Sequence, residues 1–137
     1  MNFFTKEWYY AMQDIESNKE RVERAFEEYR RCETAQFEKI SPVWLRKFQF
    51  HDKRVQTACP TDGGYVITFE REGKPDGDVG EILFKAAVVK HEEQALAGAW
   101  WLYEEVYKTA VGYELHILFD RQGLFECVFE CEDVVLR

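Results

Sequence analysis

The periodicity of the apolar residues changes once along this chain, near residue 50, and that change decides which folds are open to it. Before it, Phe4, Trp8, Met12 and Ile15 recur every three or four residues, and Val22, Ala25, Phe26, Tyr29, Cys32 and Phe37 continue the same rhythm. Such spacing puts each set on one face of a helix. After it, the sequence reads in short runs of alternating β-branched and aromatic residues, separated by Gly, Pro and Asp. Those runs are strands and turns. Helices followed by a run of strands predict an α+β domain, with the N-terminal helices on one face of a mostly antiparallel sheet of about five to seven strands.

Local signals place the elements. Thr5 is a candidate helix cap with Glu7 in the first turn. Ser17-x-x-Glu20 is a capping box, so a second helix is expected from Ser17 to about Lys39, braced by Glu20/Arg24 and Glu27/Arg31. Ser41-Pro42 starts a short third helical piece anchored by Val43, Trp44, Leu45 and Phe48. Strands are expected over 52–59, 65–69, 81–89, 113–119, 124–131 and, briefly, 134–136, with hairpin turns at 60–64 and 120–123. Residues 91–108 divide into a helical turn over 92–99 and a strand over 100–108, and one helix across the whole stretch is the competing reading.

With 137 residues and no linker or repeat, the sequence is read as one domain, helical over 1–48 and β-rich over 49–137. The aromatic share of 16% is high and is read as a thick sheet core. The net charge of −8 is uneven. Residues 1–58 hold 11 Lys/Arg against 10 Asp/Glu, whereas residues 59–137 hold 7 against 16. This balance argues against nucleic acid and leaves a basic protein partner, or self-association, as the partner expected. No apolar run reaches a membrane span and the start lacks a leader pattern, so a cytoplasmic protein with four reduced cysteines is expected.

Three further sets of residues carry a family resemblance. Phe3-Phe4-Thr5-Lys6-Glu7-Trp8-Tyr9, the step Phe50-His51-Asp52, and the run Gly112 to Phe119 are similar to the beginning, an internal point and the end of a bacterial family of unknown function, the one numbered 4085 among such domains. Some members are longer between helices and sheet, so this sequence resembles a short form. The resemblance implies a bacterial cytoplasmic protein and no activity.

Candidate chemistry is sparse. His51-Asp52 and His116 are the acid–base candidates, although neighbours in a strand point to opposite faces and His51-Asp52 is read first as the place where the backbone enters the sheet. Glu104, Glu105 and Glu114 are the binding candidates, expected on a solvated outer sheet face unless the fold gathers them. His91-Glu92-Glu93 adds nothing that completes a metal set, and no metal or cofactor is expected. Asp76-Gly77-Asp78-x-x-Glu81 lacks the ligands of a calcium loop and is read as a turn. Cys127 and Cys131, four apart in one strand, stand about 13 Å apart at about 3.3 Å per residue and are read as core thiols, whereas Cys59 beside Pro60 is read as accessible. These features predict a non-enzymatic binding or protein-interaction domain. The alternatives are a small enzyme with a cleft between helices and sheet, and a homodimer through an exposed stripe of Trp100, Tyr103 and Tyr107.

Overall fold

The computed structural model describes residues 1–74 and 77–137. Pro75 and Asp76, and with them the first residue of the turn read at Asp76-Gly77-Asp78, lie outside the described residues. Two helices, α1 (Lys6–Met12) and α2 (Ile15–Phe37), and a 3-10 turn (Val43–Lys47) precede eight strands. The strands are β1 (Lys53–Thr61), β2 (Gly64–Phe69), β3 (Glu81–Lys85), β4 (Val88–Glu92), β5 (Trp100–Lys108), β6 (Tyr113–Asp120), β7 (Leu124–Cys131) and β8 (Asp133–Leu136).

All strand pairs are antiparallel, in the order β4-β7-β6-β5-β1-β2-β3-β8. The count exceeds the expected five to seven partly because the run over 81–89 is not one strand. It bends at Ala86, whose φ of 50° leaves the strand region, and continues as β4. The backbone bends again at Glu132 between β7 and β8. Glu132 N–H donates to Lys85 O at 2.9 Å, so the two bends lie side by side. Since β3 pairs with β8 and β4 with β7, the sheet curls and its inner face wraps one core. That core stacks Phe84 on Phe129 at 4.6 Å and Phe50 on Phe69 at 5.1 Å, with Trp101 edge-on to Phe119 at 5.4 Å. Cys127 and Cys131 are buried in it, each thiol pushed up to about 12 by burial, while Cys59 is exposed. All four cysteines are free.

The strand expected over 100–108 is present, but residues 93–99 are irregular rather than a helical turn. Gly98 takes a φ of 84°, and the Arg121 guanidinium pins the carbonyls of Ala95 and Ala97. The second helix begins at Ile15, not Ser17, and breaks at Asn18 (φ −128°), whose side-chain amide donates to Asp14 O at 2.9 Å. Ile15 is therefore exposed instead of extending the α1 stripe. Thr5 caps α1 as expected, its hydroxyl accepting from Trp8 N–H at 3.1 Å.

The helices cover the outer face of β5 with a second apolar cluster of Phe4, Trp8, Val22, Ala25 and Tyr29. A bulge at Leu102 makes that contact possible. Trp101 pairs with Phe119 but Tyr103 pairs with Leu118, so the extra residue turns Tyr103 outward, edge-on to Trp8 at 5.0 Å. The expected exposed stripe is thereby covered: Trp100 is 45% exposed, but Tyr103 and Tyr107 lie partly under the helices and the N-terminal segment.

Glu105 also points outward and is 0% exposed. Its carboxylate accepts the backbone N–H groups of Asn2, Phe3 and Phe4 at 2.9, 3.0 and 2.8 Å, and the Tyr107 hydroxyl at 2.5 Å. A buried carboxylate is tolerated only with such a full set of donors, and here the donors are the segment that delivers Phe4 to the outer cluster. Glu105→Ala is expected to cost about 3 kcal/mol, because it leaves several part-buried N–H groups without an acceptor. Urea unfolding measures the loss, and hydrogen exchange should show residues 2–12 loosening before the sheet.

Candidate functional site

Strands β1 and β5 stay together only over a short stretch. Lys53 faces Trp101 and Arg54 faces Trp100, and backbone bonds extend this by Val55 N–H to Ala99 O and Asp52 N–H to Trp101 O. At Asp52, with φ 63°, the backbone turns away. From Leu102 onward the edge of β5 has no neighbouring strand, and its outward N–H and C=O groups need other partners.

Side groups supply most of them. His51 Nδ1 lies 2.6 Å from Leu102 O. Val106 N–H donates to the Tyr29 hydroxyl at 2.7 Å, and Gln36 Nε2 donates to Val106 O at 3.2 Å. Lys108 N–H donates to Gln36 Oε1 at 2.7 Å. Antiparallel ladders alternate, so residues 102, 104, 106 and 108 share this edge. Glu104 stands in the middle of it, and among the described residues its backbone N–H and C=O have no partner there.

That gap opens into a cleft of about 530 Å³ between α2 and β5, bordered by the segment Phe48–His51. Phe4, Phe26, Tyr29, Phe48, Phe50, His51, Leu102 and Tyr103 line it, and Gln49 and Glu104 add polar groups. No Lys or Arg is among the lining residues. Phe26 is 40% exposed, and its ring lies 6.1 Å from that of Tyr103, which lies 4.8 Å from the imidazole of His51.

The Glu104 carboxyl accepts the Trp101 indole N–H at 2.8 Å. Burial pushes its pKa up to about 7; the indole bond opposes this and the Glu33 carboxylate on α2 adds to it. The carboxyl therefore titrates near neutrality inside an aromatic cleft, which is a mark of functional sites.

The fold separates the six candidate residues into two places. Glu104 and His51 meet in the cleft, with Asp52 at its rim, 71% exposed and 3.4 Å from His51 Nε2. The two side groups of the His51-Asp52 step do approach each other, because they occupy a turn and not a strand. Glu105, Glu114 and His116 lie on the outer sheet face. Glu114 bonds Lys90 at 2.7 Å and His116 Nε2 at 2.8 Å, and the Lys90 bond, with help from His116, holds its carboxyl below the usual range. Tyr29, Gln36, Gln49 and Trp101 belong to the cleft and its edge, and no sequence pattern singles them out. Among the described residues no three His, Cys, Asp or Glu residues form a metal-ligand group, and no helix is long and apolar enough to cross a membrane. A depression of similar size along α2, lined by Glu27, Arg30, Arg31, Thr34, Ala35 and Glu38, is made by that one helix alone.

A family model described as a protein of unknown function, DUF4085, matches residues 4–125. The protein belongs to this family. No curated protein and no solved structure matches it.

The raised pKa of Glu104 has a stability consequence. Its folded value near 7 lies above the ordinary 4.5, so its stabilising contribution is complete below pH 4.5 and lost as pH rises through 7. Glu104→Gln, which keeps an acceptor for Trp101 but cannot ionise, is expected to gain about 3 kcal/mol on the parent protein between pH 4.5 and pH 8. Denaturant unfolding of both proteins at the two pH values checks this.

Proposed function

We propose that this protein is a non-enzymatic binding domain and that the cleft between α2 and β5 is its ligand site. The observation that carries the reading is the backbone of Glu104. Every other outward position of β5 from Leu102 to Lys108 is served by a side group of the protein, and only Glu104 presents a backbone donor, a backbone acceptor and a partly buried carboxyl to the same concavity. A mostly apolar cleft with a few convergent polar groups is the usual form of a ligand site. A backbone donor and acceptor without a partner in the protein are free to bond a ligand.

Acid–base catalysis has less support. It requires two titratable groups with separate tasks at one reacting atom. His51 and Asp52 stand exposed at the rim of the cleft, and His116 lies on the outer face of the sheet, so these three candidates do not converge on one atom. Of the stripe read for self-association, Trp100 is exposed, whereas Tyr103 and Tyr107 are half-buried. The excess of acidic residues over 59–137 supports a basic partner, and four free cysteines suit a reducing compartment such as the bacterial cytoplasm.

The test is a screen of small amines, amides and carboxylates against the isotopically labelled full-length protein, read by amide and imidazole NMR shifts. Hits are expected to move the Glu104 and Leu102 amides and the His51 ring, and to slow exchange of the Glu104 N–H. Hits that leave all three unmoved would place binding elsewhere and overturn the reading.

A further inference from the structure

The cleft has an imbalance that says which ligands it favours, given that it is the binding site. Glu104 presents a carboxyl inside it, Glu33 on α2 adds a second negative charge nearby, and no Lys or Arg lines the walls. The buried carboxylate of Glu105 comes with its own donors, three N–H groups and a hydroxyl. Glu104 has one indole. The accessible walls are the rings of Phe26, Tyr103 and His51, and the negative faces of Phe and Tyr rings attract a cation brought within about 6 Å. The free backbone C=O of Glu104 is a second acceptor beside the carboxyl, which favours a cation bearing several N–H groups over a fully alkylated one.

We propose that the ligand of this cleft carries a compact, N–H-rich nitrogen cation, a primary ammonium, amidinium or guanidinium group, seated against the carboxylate and backbone carbonyl of Glu104 in the aromatic-lined cleft. The inference rests on the cleft being the site, and it adds the charge of the occupant. A net charge of −8 favours the approach of such a ligand.

Three probes of one shape separate charge from fit: benzamidinium, benzamide and benzoate, titrated at pH 7.5 and constant ionic strength against the labelled full-length protein. Benzamidinium is expected to shift the Glu104 amide and the His51 ring and to bind about ten-fold or more tightly than benzamide, with benzoate weakest. Glu104→Gln should weaken benzamidinium about ten-fold and leave benzamide nearly unchanged, and Glu114→Gln on the outer face should change neither. The Glu104→Gln protein is expected to be the more stable of the two at this pH, so its lost affinity would not be lost folding. Benzamide or benzoate binding in the cleft as tightly as benzamidinium would overturn the cation and leave the cleft reading standing. A cleft untouched by all three, and by every hit of the wider screen, would remove both.

Discussion

Beyond Trp101, β5 has lost β1 as a neighbour, and each backbone group on that side must find a partner or be left exposed. Much of the helical part is arranged around that need. Tyr29 and Gln36 lie seven residues apart on α2, about two turns, and reach Val106 and Lys108, four to six positions into β5 from Leu102, where His51 takes over. A helix laid along an open strand edge also prevents another molecule from adding a strand to it. The price of covering the edge with side groups is spacing. They serve positions 102, 106 and 108, and position 104 falls between them, where the aromatic residues of α2 and of the segment after the 3-10 turn enclose a cleft instead of filling it.

Two adjacent glutamates show how one strand can put the same chemical group to opposite uses. Glu105 faces outward, is fully buried, and is held by four donors, three of them from consecutive residues of the N-terminal segment. Its removal would strand those donors, so it acts as a structural clasp. Glu104 faces the other way, keeps one donor, and lies close to Glu33. The difference is set by the pleat, which sends neighbours to opposite faces, and by the bulge at Leu102, which decides which face each one receives.

That phase change also marks the limit of what the sequence could reveal. The change of apolar period near residue 50 was enough to place helices before strands, and the aromatic, β-branched run over 100–108 was enough to prefer a strand there. The Thr5 cap and the 120–123 hairpin turn were legible because local chemistry determines them. What could not be read is what depends on a single residue out of register. The bulge exchanges the faces of Tyr103, Glu104 and Glu105, so simple alternation from Trp100 assigns them wrongly. The bend at Ala86 has no Gly or Pro to announce it. Gln36 and Tyr29 look like any polar and aromatic residue of an amphipathic helix, because their task is set by a strand about 70 residues further on. His51 was conspicuous, but its role, capping a carbonyl of another strand, follows from the turn at Asp52 and not from the step His-Asp itself.

A carboxyl held near neutrality weakens the fold at the pH where it ionises, and the amide of Gln would keep the indole bond without that penalty. An acidic group in this position is therefore not accounted for by packing. Neither is the arrangement around it. The surface elsewhere shows that the fold readily pairs acids with bases, as Glu114 with Lys90 and Glu93 with Lys6. Structural demands would be met by filling the cleft or by giving Glu104 a lysine. Leaving both undone sacrifices stability, which proteins typically do where a site must stay open and incompletely satisfied until a ligand completes it.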